Sequence, residues 1–136
     1  MFSTDELCSL RWDAVSEQVE IIDQTLLPHT LRWRHLDSLA AYCHAISTMQ
    51  VRGAPLIGIT AAFGLAHALS EDASSENLAR ASAALLATRP TAVNLRWALE
   101  QITTVAQPLE PSARPRAALD KARSLRAQDI ANCERI

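Results

Sequence analysis

Lysine, cysteine, glycine and aromatic side chains are all scarce in this sequence, and each scarcity removes a class of reading. Lys121 is the one lysine among 13 basic residues, which face 15 acidic ones for a net charge of −2. Such a balance offers no electrostatic footprint for nucleic acid, and 4% aromatic residues leave little for base stacking. Nucleic acid is not an expected partner. Cys8, Cys43 and Cys133 are odd in number and widely spaced, with no Cys-x-x-Cys and no histidines at zinc-finger spacing. Neither a disulfide framework nor a metal site is expected. No apolar run reaches the roughly 18 residues of a bilayer span, and the start at Met1 lacks the basic and apolar segments of a secretory signal. The expectation is a cytoplasmic protein with no membrane partner.

What the chain does have is aliphatic bulk: 49% of its 136 residues are hydrophobic, enough for one domain with its own core. Leu7 to Trp12 and Gln18 to Asp23 alternate apolar positions around a polar turn and predict a hairpin. Thr30 to His35, with Leu31 and Trp33 set against Arg32 and Arg34, predicts a third strand. Asp37 or Ser38 can cap a helix carrying Leu39, Ala40, Cys43, Ile46 and Met49 and ending about Gln50. The next helix opens near Ala54 and runs to about Leu69, apolar nearly all round and hence central. Gly58 and Gly64 inside it each cost about 1 kcal/mol in helix propensity, which a close backbone approach would offset. His67 near its end reads as a core histidine or a partner for the carboxyl-end dipole, and less readily as a ligand. Cys43 and His44 are neighbours on one helix and so do not form a Cys–His pair.

Beyond a polar loop at Ser70 to Ser75, Glu76 to Thr88 predicts an alanine-rich helix with Leu78, Leu85 and Leu86 inward. Pro90 ends it. Thr91 then has the chemistry of an N-cap for a helix through Val93, Leu95, Trp97, Leu99 and Ile102. A proline-punctuated connector over 107–115 leads to a last helix, Arg116 to Ile136, carrying Ala117, Leu119, Leu125 and Ile130. The expected fold is α+β, a small antiparallel sheet of about three strands followed by about five helices. Its parts are 1–35 (sheet), 36–106 (helical core) and 107–136 (connector and terminal helix).

The stretch Val51-Arg52-Gly53-Ala54-Pro55 places a cation, a glycine and a proline just before the central helix. Pro55 suits a first helical turn, because its missing N–H would be unpaired there anyway. The free backbone N–H groups and the positive dipole end then point back toward Gly53, where a ligand can approach closely. Arg52 adds a fork of donors matched to phosphate or carboxylate. The same pattern also opens ordinary core helices. Arg89 sits likewise in a loop at a helix start, where it is either a solvated helix end or a second anion contact.

Residues 20–69, with the Asp23-Gln24 and Leu27-Pro28 turn, the VRGAP-x-IG core and the AAFG continuation, resemble the amino-terminal part of methylthioribose-1-phosphate isomerases. So does Arg89-Pro90-Thr91-Ala92-Val93-Asn94-Leu95. The wider superfamily holds other sugar-phosphate isomerases and regulatory subunits of the translation-initiation exchange factor, and the RPTAVNL block looks most like the isomerase. The resemblance implies an aldose–ketose isomerase of methionine salvage that uses no cofactor and converts 5-methylthioribose 1-phosphate to 5-methylthioribulose 1-phosphate. Carried over residue by residue, it implies substrate binding by Arg52, Gly53, Ala54 and Arg89. The family's catalytic Cys and Asp belong to motifs of a second, Rossmann-like domain that this sequence does not match, so no catalytic residue is assigned and the chain alone is expected to be inactive. The implied partners are a sugar 1-phosphate and either a second copy or a separate carboxy-terminal domain. The alternatives are a non-catalytic interaction or regulatory module on the same fold, or half of a split isomerase for another pentose 1-phosphate.

Overall fold

The computed structural model describes residues 10–13, 18–22, 33–36, 38–48, 54–89 and 92–134. Strands β1 (Leu10–Asp13), β2 (Gln18–Ile22) and β3 (Trp33–Leu36) form an antiparallel meander in the order β1-β2-β3. Val19 pairs with Trp12 on one side and Leu36 on the other. The period-2 alternation decides which face is covered: Val19, Ile21 and Leu36 are all buried.

Five helices follow: α1 (Leu39–Ser47), α2 (Ala54–Glu71), α3 (Ser75–Thr88), α4 (Val93–Ala106) and α5 (Arg114–Glu134). Helix α2 is the axis of the bundle and packs on the other four. Its Ile57, Ile59, Ala61, Ala62, Phe63 and Leu65 are all buried, as a helix apolar on every side requires. Its two glycines sit where neighbours come closest. A Cβ at Gly58 would lie 2.8 Å from the Asn94 carbonyl oxygen of α4, and one at Gly64 would lie 3.0 Å from Tyr42 of α1. The propensity lost at both positions is therefore exchanged for close helix packing.

Serine caps set the starts of two helices. The Ser38 hydroxyl, rather than Asp37, accepts the Ala41 N–H of α1 at 3.1 Å, and the helix stops at Thr48, earlier than Gln50. Ser74 caps α3 through the Asn77 N–H. Helix α4 departs from expectation: its N-cap is Ala92, with no side-chain cap bond, so Thr91, which lies outside the described residues, is not the cap. The last helix begins at Arg114 because a 3-10 turn, Pro111–Ala113, leads directly into it. Its inward residues are Ala118, Ala122 and Leu125, spaced as 3.6 residues per turn demands, whereas Ala117 and Leu119 are only partly buried.

The α2–α3 turn is tied by two polar side chains. Asn77, 7% exposed, donates from Nδ2 to the Ala68 oxygen at 3.1 Å and the Asp72 oxygen at 2.7 Å, and accepts from Arg80 at 2.6 Å. It thereby shares the Ala68 oxygen with the Asp72 N–H and satisfies the Asp72 carbonyl just beyond α2. Asn77→Ala is expected to cost about 2 kcal/mol, read by urea unfolding, while Arg80→Ala should stay within about 0.5 kcal/mol. Asp72 accepts the Ser74 N–H at 3.0 Å, and these Ser74 hydrogen bonds hold its carboxyl below the usual range. That contribution is complete above the ordinary aspartate pKa and is lost as pH falls through the lower folded value.

Candidate functional site

Two helix starts lie side by side. Gly58 stands on the second turn of α2 and Asn94 on the first turn of α4, and the contact between them puts backbone almost on backbone. The same glycine is 3.4 Å, at the missing Cβ, from the Cβ of Ala98. With a rise of about 1.5 Å per residue, Ala54 is roughly 6 Å up the axis from Gly58. That contact brings the early turns of α2 and α4 together. Each presents unpaired N–H groups and about half a positive charge.

Ala54 is the first residue of α2. Arg52 and Gly53 lie outside the described residues. Arg89 is the C-cap of α3, with an extended φ of −147° and a half-buried side chain. Its N–H donates to the Leu86 oxygen at 3.3 Å, and its own carbonyl accepts the Ala92 N–H at 3.0 Å. Arg89 is thus held by backbone at both ends, four residues before α4.

The remaining candidates resolve as structural groups. Cys43 is half-buried against the core while His44 is exposed, so the two do not pair. Burial pushes the Cys43 thiol up, away from the thiolate a nucleophile needs. His67 sits near the carboxyl end of α2, 2.9 Å from the Glu71 carboxylate. Val93 and Trp97, both among the apolar positions expected of α4, are 79% and 48% exposed, one turn apart. Both fall opposite the buried Leu95, Ala98, Leu99 and Ile102, and plotting α4 on a 100° wheel from Leu95 would have placed them outward. No helix among the described residues is long and apolar enough to cross a membrane.

Comparison with known proteins places these features in a lineage. Residues 50–136 match the model of the initiation factor 2 subunit family. The chain is 54% identical over 113 residues to a methylthioribose-1-phosphate isomerase of Dechloromonas aromatica, covering 83% of this chain and 31% of that one. Its fold superposes on the 5-methylthioribose 1-phosphate isomerase of Pyrococcus horikoshii with a TM-score of 0.78 at 30% identity, over 91% of this chain and 38% of that one. A translation initiation factor eIF-2B delta subunit from A. fulgidus gives 0.81 at 32% identity, over 90% and 37%. The chain spans about a third of the length of the curated isomerases it matches. With the family model covering well over half of its residues, this chain belongs to the initiation factor 2 subunit family and, within it, is similar to methylthioribose-1-phosphate isomerases.

Proposed function

We propose that this chain forms the phosphate-holding part of an isomerase that turns 5-methylthioribose 1-phosphate into its ketose, with Arg52, Gly53, Ala54 and Arg89 binding substrate. The observation that supports this reading is the contact between the early turns of α2 and α4, where Gly58 meets Asn94. Two helix amino ends and two guanidiniums suit a phosphate dianion better than a single carboxylate. In such a substrate the phosphate sits on the anomeric carbon, so the ring cannot open by itself and needs an acid and a base. The reading assigns neither to residues 1–136, which it treats as one binding domain. It needs no cofactor and predicts binding without turnover.

Calorimetry with ribose 1-phosphate tests this. The wild-type chain should bind, and Arg89→Ala and Arg52→Ala should each weaken binding at least about tenfold, the loss of one charged hydrogen bond. Absence of phosphate-dependent heat in the wild type would overturn the reading. Competition against 5-methylthioribose 1-phosphate then separates this substrate from another pentose 1-phosphate.

A second reading, a non-catalytic interaction module, is favoured by the exposed Val93 and Trp97. Two large apolar side chains one turn apart on an outer helix face suit a protein contact. Sizing at several concentrations distinguishes it: self-association abolished by Trp97→Glu, together with no response to ribose 1-phosphate, would favour the module over the isomerase.

A further inference from the structure

Helix α4 carries its exposed side chains in an order that reads alike from either end. Val93, Trp97, Glu100 and Thr104 are all exposed, and they follow one another at intervals of four, three and four residues. That spacing lines them up along one seam on the outer side of the helix, as in a coiled coil. Turned end for end about a point between Ala98 and Leu99, the seam falls on itself: Val93 comes opposite Thr104, and Trp97 opposite Glu100. Val93 and Trp97 are two of the three large hydrophobic residues that stand exposed among the described residues. The Thr104 hydroxyl turns back to donate to the Glu100 carbonyl at 2.7 Å, which leaves its methyl for an apolar contact.

Charge follows the same symmetry. Arg96 and Glu100, both exposed, are the charged residues of α4. Both stand on the flank toward α3, where they line a hollow of about 580 Å³ between the two helices. A parallel second copy would set Arg96 against Arg96 and Glu100 against Glu100. An antiparallel copy, related by a two-fold axis across the helices, keeps like flanks together and sets each Arg96 against the other copy's Glu100. Ion pairs at an exposed rim add little affinity but select orientation and register. On the opposite flank Trp97 approaches its own counterpart, so the largest exposed apolar groups lie at the centre, where burial contributes most. A surface that is complementary to its own reversal in both spacing and charge suits a second copy of this chain better than an unrelated protein.

We infer that this chain pairs with a second copy of itself through antiparallel α4 helices, with Trp97 beside Trp97 at the two-fold axis and each Arg96 facing the other copy's Glu100. The pairing rests on the interaction reading of Val93 and Trp97, to which it gives an occupant and a register, and it is independent of phosphate binding. Sedimentation velocity of the 136-residue chain from about 1 to 500 µM tests it, with an expected dimer Kd of about 100 µM or tighter. Trp97→Ala should weaken pairing about tenfold or more and leave ribose 1-phosphate binding unchanged, so failure of one property does not count against the other. Arg96→Glu alone and Glu100→Arg alone put like charges across both contacts. Each should weaken pairing about tenfold, with a melting midpoint close to that of the wild type. Mixed one to one, these two variants should form a heterodimer about as tight as the wild-type dimer, because every altered position then meets the opposite charge. A wild type still monomeric at about 500 µM, a dimer indifferent to Trp97→Ala or to the single charge changes, or charge variants that pair no better mixed than alone would each overturn the inference.

Discussion

Arg114→Met is expected to destabilise the protein by about 3 kcal/mol, lowering the melting midpoint by roughly 10 °C. Arg114 is 6% exposed and is the first residue of α5, a place where the helix dipole disfavours a cation. It is held there by carbonyl groups. Nε donates to the oxygens of Ala106 at 3.2 Å and Leu109 at 3.1 Å, NH1 to Ala73 at 2.9 Å, and NH2 to Gln107 at 3.0 Å. Two of these acceptors close the carboxyl end of α4, whose negative dipole end compensates the unfavourable position on α5. A third, Ala73, belongs to the α2–α3 turn, 41 residues away in sequence. One planar fork thus joins three segments, and methionine keeps the packing of the stem while removing every donor. Lysine at this position should recover only part of the loss, since a point charge on a flexible stem cannot serve four separated oxygens. Arg116→Met, two residues on and 81% exposed, is the control and should shift stability by no more than about 0.5 kcal/mol. Thermal and urea unfolding of the three variants checks the series. An Arg114→Met protein as stable as the control would mean that these carbonyls are satisfied by water.

The local part of this architecture was legible in the sequence and the tertiary part was not. Alternation at Val19 and Ile21, the serine at position 38, the proline after Arg89 and the apolar run from Ile57 are each local causes of structure, and the elements follow them. Helix faces were read less well where residue type misleads. Tyr42, whose hydroxyl keeps it off the expected apolar stripe of α1, is almost wholly buried, whereas Ala40, on that stripe, is exposed. Along α5 the inward stripe is two alanines, Ala118 and Ala122, before Leu125, and their small size hides it beside the partly buried Leu119. Arg114 had no local signal, because its partners are carbonyls brought together by the fold. Asn77 did have one. It stands three residues after the capping Ser74, the spacing of a capping box, with Asn in place of the usual Glu or Gln, although the Ser74 N–H donates to Asp72 and the Asn77 amide reaches back to α2. For the candidate site, the Gly-Ala-Pro start and Arg89 before a helix were readable, whereas the adjacency of the two helix starts depends on Gly58, whose neighbour is 36 residues further on.

Gly58→Ala should destabilise the protein by about 1–3 kcal/mol despite gaining close to 1 kcal/mol in helix propensity. The new methyl would meet the Asn94 carbonyl oxygen at 2.8 Å and its carbon at 3.2 Å. These are backbone atoms, so no rotamer change relieves the contact and the first turn of α4 must move. Gly64→Ala provides the contrast in place: its methyl meets Tyr42 Cβ and Cγ at 3.0 Å, and the Cβ moves only with the backbone of α1, so a comparable loss is expected that displaces α1 and leaves α4 where it is. The two variants also differ in what they do to binding under the proposed function. Arg89 is hydrogen-bonded through its carbonyl to Ala92, the N-cap of α4, and therefore shifts with that helix. Gly58→Ala should weaken ribose 1-phosphate about tenfold or more through misplacement of Arg89 and the α4 amides, whereas Gly64→Ala should leave affinity unchanged in whatever fraction remains folded. Equal affinities in the two variants, measured by calorimetry well below their melting midpoints, would detach the anion site from the α2–α4 contact. A loss confined to Gly58→Ala would link the glycine on the second turn of α2 to phosphate binding at that helix's amino end.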